Sequence, residues 1–208
     1  MSLFVASPAG ATEKYKYRAT AGKDVDIIYT TIDRSGGSVR ITNVRHEKVN
    51  IFYCTYGLDT TEWEMVNRPE DVDVKALRDG NAIVVKGTFD GKRVDKKEYV
   101  DARPWYQSIP FSLTDFSASS EGAVTFWTLS PDDQTPVKMK ATRKSIETVD
   151  VAGKAYEARK VRVRLTGVKS IFWAADFWYR AGDGLFVKFE GNKGPGTPTT
   201  VIELIGEG

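Results

Sequence analysis

Ala155-Tyr156-Glu157-Ala158-Arg159-Lys160-Val161-Arg162-Val163-Arg164-Leu165 opens a run, continuing to Ile205, whose reading decides the fold. Val161, Val163 and Leu165 leave one side of the chain, while Lys160, Arg162 and Arg164 leave the other. A two-residue period is what a half-buried β-strand requires, because successive side chains point to opposite faces of the pleat. The run breaks at Gly-rich turns and resumes in the same period. The alternation already starts at Tyr15, so the chain reads as one long antiparallel winding.

Toward the N-terminus, residues 14–20 place Tyr15 and Tyr17 on one face and Lys14, Lys16 and Arg18 on the other. Residues 24–33, with Ile27, Ile28 and Ile32, are β-branched enough for a strand. Ser35-Gly36-Gly37-Ser38 is a hairpin turn, since glycine reaches positive φ without steric cost. Strands over 39–44 and 49–56 complete an opening meander. A strand over 60–66 breaks at Arg68-Pro69-Glu70-Asp71, because proline removes a ladder donor. Arg78-Asp79-Gly80-Asn81 and Phe89-Asp90-Gly91-Lys92 are Asp-Gly hairpin signals joining strands over 72–77, 81–89 and 94–100. The charged run 92–98 reads as a solvated edge strand rather than a nucleic-acid patch, since Asp95 and Glu98 interrupt its cations.

Residues 101–120 interrupt the β pattern with Trp105, Tyr106, Ile109, Phe111, Leu113 and Phe116 at irregular spacing. The segment reads as a short helix beginning near Pro104, where proline suits a first turn, or as a long crossing loop. Long connections inside compact domains tend to act or to plug. Alternation resumes at Ala123, turns at Ser130-Pro131-Asp132-Asp133-Gln134, runs over 136–149 and turns again at Asp150-Val151-Ala152-Gly153-Lys154. Over 168–179 both faces are apolar: Ile171, Trp173, Ala175, Phe177 and Tyr179 on one, Phe172, Ala174 and Trp178 on the other. Such a strand is covered on both sides. Strands over 185–190 and 199–205, separated by a Gly/Pro-rich loop, end the sheet.

A chain of 208 residues suits one undivided β barrel, read here as a single domain over 12–206. Met1-Ser2-Leu3 and Glu207-Gly208 read as cloning remnants outside it. Ala6-Ser7-Pro8-Ala9-Gly10-Ala11 reads either as the remnant around a removed signal peptide or as a flexible terminus. A net charge of +2 is too small to argue for nucleic acid or an anionic membrane surface. No run is long and apolar enough for a transmembrane segment. With Cys54 as the one cysteine there is no intramolecular disulfide, and with His46 as the one histidine there is no zinc site of ordinary ligation.

The search for catalytic chemistry yields little. His46 sits in a charged turn and reads as solvated; Cys54 lies on a strand and reads as a small buried side chain. Asp132-Asp133 could supply two oxygens to calcium, but the spaced acidic EF-hand loop is missing. Gly191-Asn192-Lys193-Gly194-Pro195-Gly196 lacks both the Walker spacing and a following helix. Gly-x-Ser-x-Gly is absent. Paired carboxylates for glycoside hydrolysis stay open, because they pair in space. The balance leans away from an enzyme and calls for no cofactor. What remains is a surplus of aromatics: Trp105, Tyr106, Phe111, Phe116, Phe172, Trp173 and Trp178. They either cap an open barrel end as core, or line a cavity for an apolar ligand with the insert as lid.

Asp101-Ala102-Arg103-Pro104-Trp105-Tyr106-Gln107, the Phe89-Asp90-Gly91-Lys92 turn and Phe177-Trp178-Tyr179-Arg180-Ala181-Gly182-Asp183-Gly184-Leu185-Phe186-Val187-Lys188, with the long strands around Val151-Ala152-Gly153, carry a resemblance. In that order they resemble the bacterial envelope family catalogued as domain of unknown function 3108, over most of the chain. The resemblance implies a strongly curved antiparallel sheet, a spiral or half-open barrel similar to the outer-membrane lipoprotein carriers. It implies an exported, periplasmic location and no catalytic residues.

The expectation is therefore an all-β fold, a strongly curved antiparallel meander forming a spiral or half-open barrel with a short helix or loop insert near 104–118. The first functional expectation is a non-enzymatic periplasmic protein holding a lipid, acyl chain or lipoprotein segment in the concave face. The second is a structural or interaction module of the envelope without a small-molecule ligand, and the third a hydrolase with paired carboxylates.

Overall fold

The computed structural model describes residues 12–167, 173–192 and 197–208. The chain is all-β, an antiparallel meander with a short helical insert. Eight strands come first: β1 (Thr12–Ala21), β2 (Asp24–Ser35), β3 (Ser38–Arg45), β4 (Lys48–Thr55), β5 (Thr60–Asn67), β6 (Val72–Asp79), β7 (Ala82–Phe89) and β8 (Lys92–Tyr99). The insert carries α1 (Ile109–Ser112) and α2 (Thr114–Ala118). Six strands follow: β9 (Ala123–Leu129), β10 (Pro136–Val151), β11 (Lys154–Leu165), β12 (Ala174–Arg180), β13 (Phe186–Gly191) and β14 (Thr200–Glu207).

All fourteen belong to one sheet, ordered β8 down to β1, then β14 down to β9. Every hydrogen-bonded pair is sequential except β1–β14, which joins the two ends of the meander. The two free edges, β8 and β9, are therefore consecutive in sequence, and the insert connects them, running beside β9. The alternation read from sequence becomes an inner and an outer face. Ile32, Ile41, Phe52, Trp63, Val74, Val85, Phe126, Val163 and Phe177 point inward and are buried in one continuous core.

The Asp-Gly and Gly-Gly turns fall where the sequence places them, with Asp90 and Gly91 both at positive φ. Gly87 is a stricter requirement in the middle of β7. Its φ is +131°, and an added Cβ would lie 2.0 Å from the Asp73 carbonyl oxygen of β6. Only glycine lets the two backbones approach that closely.

One boundary differs from the sequence reading. The helix begins at Ile109, not near Pro104. Pro104 instead runs beside the free edge of β9, where its carbonyl accepts the Trp127 N–H at 2.9 Å and its missing donor costs nothing. At the other end, Glu207 pairs with Tyr15, and Gly208 exchanges backbone hydrogen bonds with Lys14. The Ala6–Ala11 stretch and the first part of the doubly apolar run, Phe172 included, lie outside the described residues.

Candidate functional site

The insert is built on two polar hubs. Gln107 Oε1 accepts the Trp105 indole N–H at 3.0 Å, the Thr128 hydroxyl at 3.1 Å and the Leu129 N–H at 2.8 Å. Its own backbone N–H donates to the Thr60 hydroxyl on β5 at 3.1 Å. Asp101 accepts the Trp127 indole N–H at 2.8 Å and meets Lys138 at 3.2 Å and Arg103. Those donors, Trp127 first, hold the Asp101 carboxyl well below the usual carboxylate range. The chain from 104 to 106 adds a short parallel bridge to β9, while the Trp105 carbonyl accepts the Thr60 N–H at 2.8 Å. One segment thus ties β5 to β9 across the mouth.

From this frame the apolar side chains of the insert enter the core. Trp105, Phe111 and Phe116 are at most 7% exposed, and Leu113 is fully buried. The Phe111 ring meets Tyr17 edge-on at 6.2 Å and Phe186 at 6.0 Å, so α1 lies against β1 and β13. Tyr106 packs on Phe126 at 5.1 Å and is only half-buried, and burial pushes its hydroxyl up to about 12. Trp173 is partly buried against the same core. The insert fills the inner face with the chain's own aromatics.

Trp178 stands apart from that group. It follows Phe177, whose ring is in the core against Phe186 and Phe189, and therefore leaves β12 on the outer face. There it is nonetheless 4% exposed. Lys160 and Lys188 stand 4.7 and 5.8 Å from its ring, and its indole N–H donates to Glu147 at 2.7 Å. The cover is the end of the β10–β11 hairpin. A bulge between Arg143 and Ile146 bends β10. The hairpin end, 146–157, crosses the outer face as a strap. Glu147 meets Trp178 of β12, the Asp150 carbonyl accepts Lys188 of β13 at 3.2 Å, and the Ala152 N–H donates to Glu203 of β14 at 3.0 Å. Glu203 also pairs with Arg18 of β1 at 2.7 Å. Burial raises the Glu203 carboxyl, but Arg18 and the Ala152 N–H outweigh it and hold it below its ordinary value.

Beyond the strap, two clefts lie side by side on the outer face along the β1–β14 seam. The larger, about 510 Å³, is walled by Val151, Ala152, Lys154 and Tyr156 and floored by Arg18 and residues 204–207. The smaller, about 230 Å³, is bounded by Lys14, Lys16 and Tyr29 and shares Gly206 and Glu207 with the first. A bulge at this seam pairs Lys16 with Gly206 and Tyr17 with Leu204, leaving Ile205 without a partner and 37% exposed. Sequence reasoning missed this seam, because a bulge leaves no mark in an alternating pattern.

His46 and Cys54 both sit in structural roles. His46 Nε2 lies 2.5 Å from Asp26, which Arg45 also contacts, and this group pins the β3–β4 turn to β2. Cys54 is buried, and desolvation pushes its thiol up to about 11, the wrong direction for a nucleophile. Among the described residues no three His, Cys, Asp or Glu side chains gather as a metal centre would need. Asp133 accepts the Thr135 N–H and hydroxyl, an ordinary turn contact.

No protein-family model and no curated protein matches the chain. The resemblance to known proteins is one of fold. The hypothetical lipoprotein YmcC from Escherichia coli (K12) superimposes with a TM-score of 0.43 at 11% identity, over 96% of this chain and 89% of that one. A β-barrel-like protein of domain of unknown function DUF1849 from Brucella abortus superimposes with a TM-score of 0.64 at 9% identity, over 97% of this chain and 99% of that one, so the chain has a β-barrel-like fold similar to that protein's.

Proposed function

We propose that this protein is a non-catalytic interaction module of the bacterial envelope, working through its outer surface. The observation that carries the reading is the filled inner face. Phe111, Leu113 and Phe116 occupy the space a concave-face ligand would need. A lipid, acyl chain or lipoprotein segment could enter there only if the insert from α1 through α2 withdrew, exposing three large apolar side chains at several kcal/mol in all. Envelope location is the expectation that the sequence resemblance sets, and no family model adds to it.

The test is saturable uptake. A fluorescent fatty acid titrated into the folded protein, with native mass spectrometry of protein purified from bacterial membranes, is expected to show neither binding nor a co-purifying acyl chain. Stoichiometric uptake would return the protein to the carrier class and overturn this reading. A photo-crosslinking amino acid at Tyr29 on the outer face is expected to capture a discrete partner in cells, whereas one at buried Phe111 captures none.

A further inference from the structure

We propose that the outer groove along the β1–β14 seam docks an acidic, aromatic-bearing segment of a partner polypeptide. The inference rests on the interaction-module reading and names what the surface would take. The two seam clefts share Gly206 and Glu207 and so adjoin, lining the surface from Tyr29 across β1 and β14 to the strap.

Its charge is one-sided. Lys14, Lys16 and Arg18 alternate along the outer face of β1, and Lys154 stands on the strap wall. Arg18 is occupied by Glu203. Among the described residues, Lys14, Lys16 and Lys154 have no carboxylate within ion-pair distance. The acid at the groove, Glu207, is held by Arg180 at 2.7 Å. Three uncompensated ammonium groups around a recess attract carboxylates.

The apolar part is equally specific. The Tyr29 ring is 54% exposed with the Lys16 ammonium 5.6 Å from its centroid, and the Tyr156 ring lies 4.8 Å from Lys154. Ile205, turned out by its bulge, lies on the groove floor beside them. An exposed tyrosine, a partly buried one and an isoleucine between cations suit alternating aromatic and acidic side chains. Gly206 leaves the floor without a side chain where a partner backbone would cross. The strap rises along one side as a wall, so a chain can enter where a planar bilayer cannot.

The probe is a fluorescein-labelled synthetic peptide alternating aspartate with phenylalanine, titrated against the full chain by fluorescence polarisation. Saturable binding that weakens as salt rises is expected. Lys16→Glu combined with Lys154→Glu is expected to weaken it about tenfold or more, while Lys92→Glu on β8 leaves it unchanged. Far-UV circular dichroism verifies that each variant is folded. Absence of binding by the unaltered chain, or equal binding by the double variant, overturns the proposal. So does tighter binding to phosphatidylglycerol vesicles than to the peptide, which would make the seam a membrane-facing surface. Fatty-acid uptake reports only on the inner face, so failure of the module reading and failure of the groove are read separately.

Discussion

The insert on the inner face and the strap on the outer face cover the same part of the sheet by different means. The insert buries large apolar side chains and satisfies polar groups on both sides of the mouth, the Leu129 N–H and Thr60 hydroxyl through Gln107 and the Trp127 indole through Asp101. The strap contributes the smaller Val149 and Val151, covers Trp178, and adds single polar contacts to β12, β13 and β14, beside an open cleft. Apolar burial dominates stability, and part-exposed polar pairs add little. The insert, with the larger buried side chains, is expected to unfold with the barrel, and the strap to open at lower cost.

The sharpest way to break that contrast is Phe111→Ala. Removing a buried ring that touches β1 and β13 should cost about 3–5 kcal/mol, read as a lower denaturant midpoint for the whole chain. Val151→Ala on the strap should cost about 2 kcal/mol; a loss matching that of Phe111→Ala would show that strap and insert are equally integral. Gln107→Ala leaves the buried Leu129 N–H without its acceptor and should cost about 1–3 kcal/mol, with amide exchange rising at 104–107 and in β9 but not in the strap.

Acid should separate the two regions further. The Glu203 carboxyl is lower in the fold than its ordinary value of 4.5. Its contribution is therefore complete above that range and is lost as pH falls through the lower folded value. Hydrogen exchange at 146–157 should rise on acidification, while near-UV dichroism from the insert aromatics holds. Concurrent loss of both would contradict independent loosening. The smallest effect is a gain. Ala152 sits at φ 53° at the strap turn, and Ala152→Asn should stabilise by about 0.5–1 kcal/mol because asparagine tolerates the left-handed region better. An unchanged melting temperature would show that strain at this turn is already relieved.

Much of the architecture could be read from residue order. Alternation at Tyr15-Lys16-Tyr17-Arg18 and Val161-Arg162-Val163 assigns strands and faces, because β geometry repeats every two residues. The Asp-Gly and Gly-Gly turns assign sequential hairpins. Apolar side chains on both faces of β12 announce two covers. The identity of those covers was not legible, because each is a long-range contact. Trp178 and Phe111 look alike in sequence, yet one lies under the strap and the other in the core.

By itself, the sequence determined an all-β meander, its turns and an insert near 104–118, since all of these follow from local period and residue type. Only the tertiary structure decided that β1 closes on β14, that the insert fills the inner face and that a bent hairpin shields the outer one. Those outcomes depend on bulges at Arg143–Ile146 and beside Leu204. A single extra residue turns a strand and re-aims its side chains, and pairing partners far apart in the chain decide where that residue falls.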